Sequence, residues 1–212
     1  CSIPPPANQT LHKLINEQPI ERLIITTPRI NKATTYRMVL LVISGEYETK
    51  ERNEIRTLWA SVYSELQKSG ESRVIFVVGR SQLINKEATS HGDILQIDIE
   101  ETYRNMVYKI ESSFRWLEEN IETDFIAKID SDTVVHIDRL YYHLKLYEQN
   151  NSGDWIACFI SPHAAPIRDK CSSWLANKTR HILKLKVNII GTFMKMTTRL
   201  IHFHITVMVL HM

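Results

Sequence analysis

Cysteine is scarce in this 212-residue chain, and the count is odd: Cys1, Cys158 and Cys171. That spacing matches no zinc-binding pattern and is far too sparse for a disulfide-stapled scaffold. Cys158 and Cys171 could form one bridge in an oxidising compartment, while the apolar run around Cys158 equally suits a buried thiol. Charge of one sign is also lacking. A formal net charge of +2, with Lys and Arg scattered along the chain, argues against nucleic acid as a partner. No stretch approaches the ~20 consecutive apolar residues of a membrane span, and no signal peptide is recognisable. The first residue is Cys1 rather than Met, so the chain reads as a processed or cut form of something longer. Either targeting element, including a membrane anchor, is expected upstream. There is no internal repeat, and three consecutive prolines are the nearest thing to a low-complexity tract. Finally, no Asp or Glu follows Asp169.

What remains is an ordinary globular composition, 43% apolar and 24% charged, enough for one substantial core. Two glycosylation sequons, Asn8-Gln9-Thr10 and Asn177-Lys178-Thr179, would matter only in the secretory pathway. Residues 1–35 hold Pro4-Pro5-Pro6, Pro19 and Pro28 and read as an extended stem or arm, with a short helix around Leu11 to Glu17. The run Met38–Ile43 predicts a strand covered on both faces. Glu51–Lys68 follows as a helix, with Ile55, Leu58, Trp59, Val62 and Leu66 on its apolar stripe. Val74–Val78 is a second buried strand. A polar crossover leads to an alternating strand at Asp93–Asp98. The longest predicted helix spans Glu100–Ile121, with Tyr103, Val107, Ile110, Phe114, Leu117 and Ile121 inward and Glu100 and Glu101 in its first turn. Strand Phe125–Ile129, a helix over Asp138–Glu148 capped by Asp138, and strand Trp155–Ile160 complete the series. Strands alternating with helices predict an α/β domain with a mostly parallel sheet. Farther on, Trp174–Lys186 could be helical and Thr192–Met196 a strand. The tail from 202 to 212, with His202, His204 and His211, stays unassigned.

The most unusual local feature is Phe125-Ile126-Ala127-Lys128-Ile129-Asp130-Ser131-Asp132, an apolar strand running into two carboxylates one residue apart. Aspartate is depleted in strands, and the carboxyl ends of strands in an open α/β sheet are where ligands bind. Two carboxylates there can share a hard divalent cation, and through it a diphosphate. A solvated Asp-Ser-Asp turn, or a cap for the next helix, fits the same residues.

Several blocks, in order, resemble the β-1,3-galactosyltransferase-like family, glycosyltransferase family 31, which includes N-acetylglucosaminyltransferases and Fringe-like enzymes. Met38–Ile43 followed by Glu51-Arg52-Asn53-Glu54-Ile55-Arg56-Thr57-Leu58-Trp59 is similar to the family's first strand and its Arg-x-x-Ile-Arg-x-x-Trp helix. Phe76-Val77-Val78-Gly79 resembles its Phe-Leu-Leu-Gly strand. Glu87 with His91-Gly92-Asp93-Ile94-Leu95 resembles a Glu before Gly-Asp-Ile-Leu. Asp98 with Tyr103-Arg104-Asn105-Met106-Val107-Tyr108-Lys109 resembles Asp-x-x-x-x-Tyr-x-Asn-Leu-Thr-x-Lys. Lys128-Ile129-Asp130-Ser131-Asp132 matches the Lys-x-Asp-Asp-Asp signature with Ser at its centre. Fainter similarities are Pro166-Ile167-Arg168, Trp174, Gly191-Thr192-Phe193 and Thr197-Thr198. The resemblance covers roughly residues 37–201.

The resemblance implies a GT-A-like nucleotide-binding sandwich over residues 36–201, a Mn²⁺ ion, and UDP-galactose or UDP-N-acetylglucosamine as donor. It implies inverting β-1,3 transfer of the hexose to a glycan on a glycoprotein or glycolipid. It also implies the Golgi lumen, as the luminal part of a type II membrane protein. Asp132 becomes the first candidate for direct metal ligation. Asp130 would reach the metal through water or the ribose side of the nucleotide, with Ser131 between them. Arg52 and Arg56, four apart on one helix face, would orient the nucleotide or its pocket. Their bland alternative is a surface pair bonded to Glu51 or Asp98. Lys109 would serve the donor pocket or simply snorkel from its helix. Trp59, Trp116, Phe114 and Tyr103 are expected in the core. The family's acidic Glu-Asp-Val-type segment, whose Asp is the expected general base, has no counterpart after Asp169, so the catalytic base is unknown. The competing expectations are an incomplete or inactive relative and, more distantly, a phosphatase of the haloacid dehalogenase type, whose Asp-x-Asp-x-Thr/Val loop Asp130–Val134 mimics.

Overall fold

The structure, a computed structural model, describes residues 19–58, 65–102, 105–150, 155–158 and 207–211. Strands β1 (Ile24–Thr26), β2 (Tyr36–Ile43), β3 (Ser72–Val78), β4 (Ile94–Ile97), β5 (Thr123–Asp130), β6 (Ile156–Cys158) and β7 (Val207–His211) form one seven-stranded sheet in the order β1-β4-β3-β2-β5-β7-β6. Its centre is parallel: β2 pairs with β3 on one side and β5 on the other, and β3 pairs with β4. Antiparallel strands close both margins, β1 against β4 and β7 between β5 and β6. The α/β expectation with a mostly parallel sheet is met.

The helices are α1 (Thr49–Thr57), α2 (Glu65–Lys68), α3 (Asn85–His91), α4 (Met106–Asn120) and α5 (Ile137–Asn150). Strand periodicity sorts the core into two layers. Met38, Leu40 and Val42 of β2 pack with Ile55 of α1, Ala88 of α3 and Ile137 and Leu144 of α5. Val39, Leu41 and Ile43 face the other way, onto Tyr108, Phe114, Trp116 and Leu117 of α4. The chain therefore steps from β2 outward to β3 and β4 with helices on one face. It then returns past β2 to β5 with α4 on the opposite face. That reversal makes the gap between β2 and β5 the topological switch point, where open α/β sheets hold their ligands.

Several local expectations change. The predicted Glu51–Lys68 helix is described as α1 and α2, residues 59–64 lying outside the described set. Leu58, expected on the apolar stripe, is 52% exposed at the C-cap of α1. The polar crossover contains α3, which a 3.6-residue stripe could not announce because it buries only Ala88. Its Gly92 cap has φ +65°, a left-handed conformation suited to glycine. Helix α4 starts at Met106, so Glu100 and Glu101 are not in its first turn; Phe114, Leu117 and Ile121 are buried as expected, Val107 and Ile110 are half-buried against the same core, and Lys109, Ser112, Ser113 and Trp116 are buried as well. Within β4, Gln96 is fully buried instead of pointing to solvent; its amide donates to the carbonyls of Gly79 and Ser81. Asp138 lies inside the first turn of α5 and caps a different helix, its carboxylate accepting the Glu65 and Leu66 amides at 3.0 and 3.1 Å. Arm residues 19–26 pack onto the sheet, with Ile20 and Leu23 buried. The unassigned tail supplies β7. The predicted helix at Trp174–Lys186, the strand at Thr192–Met196, Cys171, Trp59 and Tyr103 lie outside the described residues.

Candidate functional site

Asp130 ends β5 opposite Ile43, the last residue of β2. The acidic turn therefore sits at the switch point, beside the loop that leaves β2. The Thr133 amide donates to the Asp130 carbonyl at 3.1 Å, so residues 130–133 form a tight turn with Ser131 and Asp132 at its centre. The Asp132 side chain is exposed. The Asp130 carboxylate is partly exposed and bonds through Oδ1 to Nζ of Lys128, a lysine itself buried to 7% exposure. Both aspartates thus keep oxygens open to a ligand on the carboxyl edge of the sheet.

Across the gap, the loop after β2 folds back on Glu48. Its carboxylate accepts the Gly45 amide at 2.8 Å and the Ser44 hydroxyl at 3.0 Å. Burial pushes the Glu48 carboxyl up, but the Gly45, Ser131 and Ser44 hydrogen bonds and the charge of Lys109 bring it below the usual value.

Lys109 is 5% exposed, and its ammonium donates to the Ser44 carbonyl at 3.0 Å and to Glu101 at 2.7 and 3.1 Å. Glu101 also accepts the Gly79 amide. A Cβ on Gly79 would stand 2.5 Å from that carboxylate and 2.6 Å from the Ile99 carbonyl, so only glycine lets β3 end this close. Lys109 thereby ties together the ends of β2 and β3, directly under the switch point.

Arg52 is fully buried, and all five guanidinium hydrogens are engaged. Nε and Nη2 grip Glu87 at 2.8 and 2.7 Å; Nη1 reaches the Ser44 hydroxyl and Gly45 carbonyl at 2.8 and 2.6 Å; Nη2 also reaches Thr49 at 2.9 Å. Arg56 holds Asp93 at 2.8 and 2.9 Å, touches Glu87 at 2.8 Å, and lies 4.8 Å over the Phe76 ring. The partners are Glu87 and Asp93, not Glu51 or Asp98, and the pair is not a surface one; Asp98 pairs with Arg80. Burial raises the Glu87 carboxyl, but hydrogen bonds and charges from Arg52 and Arg56 bring it down to about 2.

A family model described as Galactosyltransferase matches residues 50–204, well over half of the chain. The chain belongs to the galactosyltransferase family. Human "Beta-1,3-galactosyltransferase 5" is 26% identical over 151 residues, covering 68% of this chain and 47% of the relative. The Mus musculus protein of the same name is 29% identical over 149 residues, 66% of this chain and 47% of its own length. "Lactosylceramide 1,3-N-acetyl-beta-D-glucosaminyltransferase A" of Danio rerio is 27% identical over 150 residues, 65% of this chain and 39% of the relative. The chain spans about half the length of the curated relatives it matches.

In this galactosyltransferase-family chain the motif blocks turn out to hold one another. The Arg52/Arg56 block is ion-paired to the Glu87/Asp93 block, and the Lys109 block is bonded to the loop after β2. Asp130, Ser131, Lys109 and the loop fixed by Arg52 meet around the switch point. Arg56 stands farther back, toward α3. Sequence reasoning missed Glu48, Glu101 and Lys128. Glu48 precedes α1 without any motif; Glu101 looked like a helix-start acid; Lys128 was quoted only as a signature letter. Among the described residues no cluster of three or more acidic, histidine or cysteine side chains forms a closed metal cage. Phe114 and Trp116 are core, as expected.

Proposed function

We propose that this domain transfers a hexose, galactose or N-acetylglucosamine, from a UDP-sugar to a hydroxyl of a glycan acceptor, forming a β-1,3 linkage with inversion. One observation carries the reading: the two aspartates stand at the carboxyl edge of a doubly wound sheet, at its switch point. The family's membership supports the reaction class, and the names of its relatives support the choice of sugars.

The donor set suits a hard divalent cation such as Mn²⁺. It consists of carboxylate oxygens, incompletely satisfied, in a site too open to be an all-protein cage. Asp132, exposed on the turn, would hold the metal directly. Asp130, already bonded to Lys128, would reach it through water or bond the ribose. The ion would supply positive charge to a departing diphosphate. Ser131 would line the same turn. Arg52 and Arg56, ion-paired to Glu87 and Asp93 inside the protein, would shape the donor pocket through the Ser44-Gly45 loop and α3 rather than by gripping the nucleotide. Lys109 would do the same from beneath, adding positive potential below the diphosphate. We place the domain in the Golgi lumen, as part of a type II membrane protein. No helix among the described residues is long and apolar enough to cross a membrane, so any anchor would come from elsewhere.

A second reading is donor binding without transfer. Two measurements separate the possibilities. Asp132→Ala is expected to abolish Mn²⁺-dependent UDP binding in calorimetry while leaving the melting temperature nearly unchanged; unaltered binding would remove the metal assignment. Robust turnover by the unmodified chain with UDP-galactose or UDP-N-acetylglucosamine would exclude the second reading and show that the base lies elsewhere.

A further inference from the structure

We propose that Asn150, the last residue of α5, is an N-glycosylation site whose glycan shields the apolar row that α5 turns to solvent. The inference rests on placing the domain in the secretory lumen, because the modification needs that compartment and its lipid-linked sugar donor.

Asn150-Asn151-Ser152 is a third sequon, with Asn rather than Pro between the acceptor and the hydroxyl residue. Its acceptor lies among the described residues, exposed at the C-terminal end of α5. Nδ2 of Asn150 donates to the Leu146 carbonyl at 2.7 Å on the protein surface. That bond uses one of the two amide hydrogens, and glycosylation uses the other. Nδ2 gives up a proton and bonds to C1 of an N-acetylglucosamine. The bond from C1 to a lipid diphosphate breaks, and the diphosphate leaves with the electron pair. The sugar linkage and the bond that closes the helix end are therefore compatible.

The fold puts this asparagine far from the acidic turn. Strand β6 runs parallel to β5, since both pair antiparallel with β7, so α5 must carry the chain back across the sheet. Near its C-terminal end, Lys145 reaches Asp124, the second residue of β5, at 3.9 Å. Tyr147 packs against Trp155, just before β6, with ring centroids 4.8 Å apart. Asp130 lies at the opposite end of β5. The 14 residues of α5 hold the two edges about 20 Å apart. A glycan on Asn150 leaves the acidic turn open.

The outer face of α5 shows what the glycan covers. The inner face buries Ile137 and Leu144, and a polar face would ordinarily stand opposite. Instead Tyr142 is 61% exposed and Leu146 39%, with Tyr147 48% exposed beside them. Tyr142, Leu146 and Asn150 stand four apart along that outer face, so the acceptor ends the row. Helical side chains lean toward the N-terminus, which starts the sugar over the turn holding Leu146 and Tyr147. The C–H face of N-acetylglucosamine can pack on these side chains while the hydrophilic remainder meets water.

The test uses the whole chain, directed into the secretory pathway of cultured animal cells by a cleavable leader and recovered from cells and medium. A glycan-removing amidase in heavy-oxygen water labels each formerly glycosylated asparagine, and peptide mass spectrometry locates the labels. Asn150 is expected to carry the label in most molecules. Ser152→Ala is expected to lose that label alone, with UDP binding as in the wild type. Wild-type protein with Asn150 unlabelled would overturn the site. For the apolar row, Ser152→Ala is expected to self-associate in light scattering where the wild type stays monomeric, and adding Tyr142→Ser and Leu146→Ser is expected to reverse this. A monomeric Ser152→Ala protein would overturn the shielding role. Protein from its natural source with none of the three sequons labelled would instead overturn the luminal placement, and the leader-directed chain would still decide for or against the site.

Discussion

At the scale of single residues, the cluster Arg52–Glu87–Arg56–Asp93 shows how a buried charge becomes tolerable. Arg52 has no solvent exposure, yet every hydrogen it offers is accepted, two of them by Glu87. Removing one partner from such a group is costly because the other charge stays buried. Glu87→Ala is therefore expected to destabilise the protein by about 3–5 kcal/mol in denaturant unfolding. The carboxyl of Glu87 sits at about 2 when folded, against its usual value of 4.5, so the folded state binds its proton less readily than the unfolded chain. Its contribution is fully present above pH 4.5 and is lost as pH falls through about 2. Melting temperatures recorded across that window should fall with acidification in the wild type and more gently in Glu87→Gln. An equal slope in both would show that Glu87 is not the titrating group.

At the scale of elements, helix ends decide more than helix interiors here. Helix α3 has little apolar periodicity to hold it and is stopped by Gly92 at φ +65°. The Gly92 carbonyl accepts the Arg29 amide at 2.8 Å and Arg73 Nη2 at 2.8 Å, and a Cβ at that position would come within 1.8 Å of the Arg29 side chain. Gly92→Ala combines left-handed strain, roughly 1–2 kcal/mol, with displacement of Arg29. A drop in thermal stability of at least that size is expected, with the loss carried over to Asp93 and hence to the Arg56 contact. Asp138 makes the related point that a cap belongs to whichever helix start it reaches. From the first turn of α5 it satisfies two amides of α2, a partner seventy-odd positions earlier in the chain.

At the scale of the whole molecule, the parallel core is guarded by antiparallel margins. Strand β5, which carries the acidic turn, has β2 on one side and β7 on the other. Residues 207–211 therefore act on the site from the chain's far end, by covering an edge that would otherwise present unpaired backbone groups. Deleting residues 207–212 is expected to lower the melting temperature and to promote association through β5, visible as a concentration-dependent shift in light scattering. A truncated protein that melts as wild type and stays monomeric would show that β7 contributes nothing to the edge.

Much of this was legible in the residues. Continuous apolar runs such as Met38–Ile43 and Val74–Val78 can only be strands covered on both faces, and their alternation with helices dictates an α/β sheet. The acidic pair was visible because two aspartates at the end of such a run break local propensity. The sequence alone determined the class of fold, the strands of its centre and the acidic pair at the end of β5, because those depend on hydrophobic pattern and short-range chemistry. Tertiary structure decided which loops meet at the switch point. It also decided that Arg52 turns inward to Glu87 and that Glu101, outside the helix, pairs with Lys109. Those choices depend on the order of strands in the sheet, which brings together side chains that nothing in the linear spacing connects.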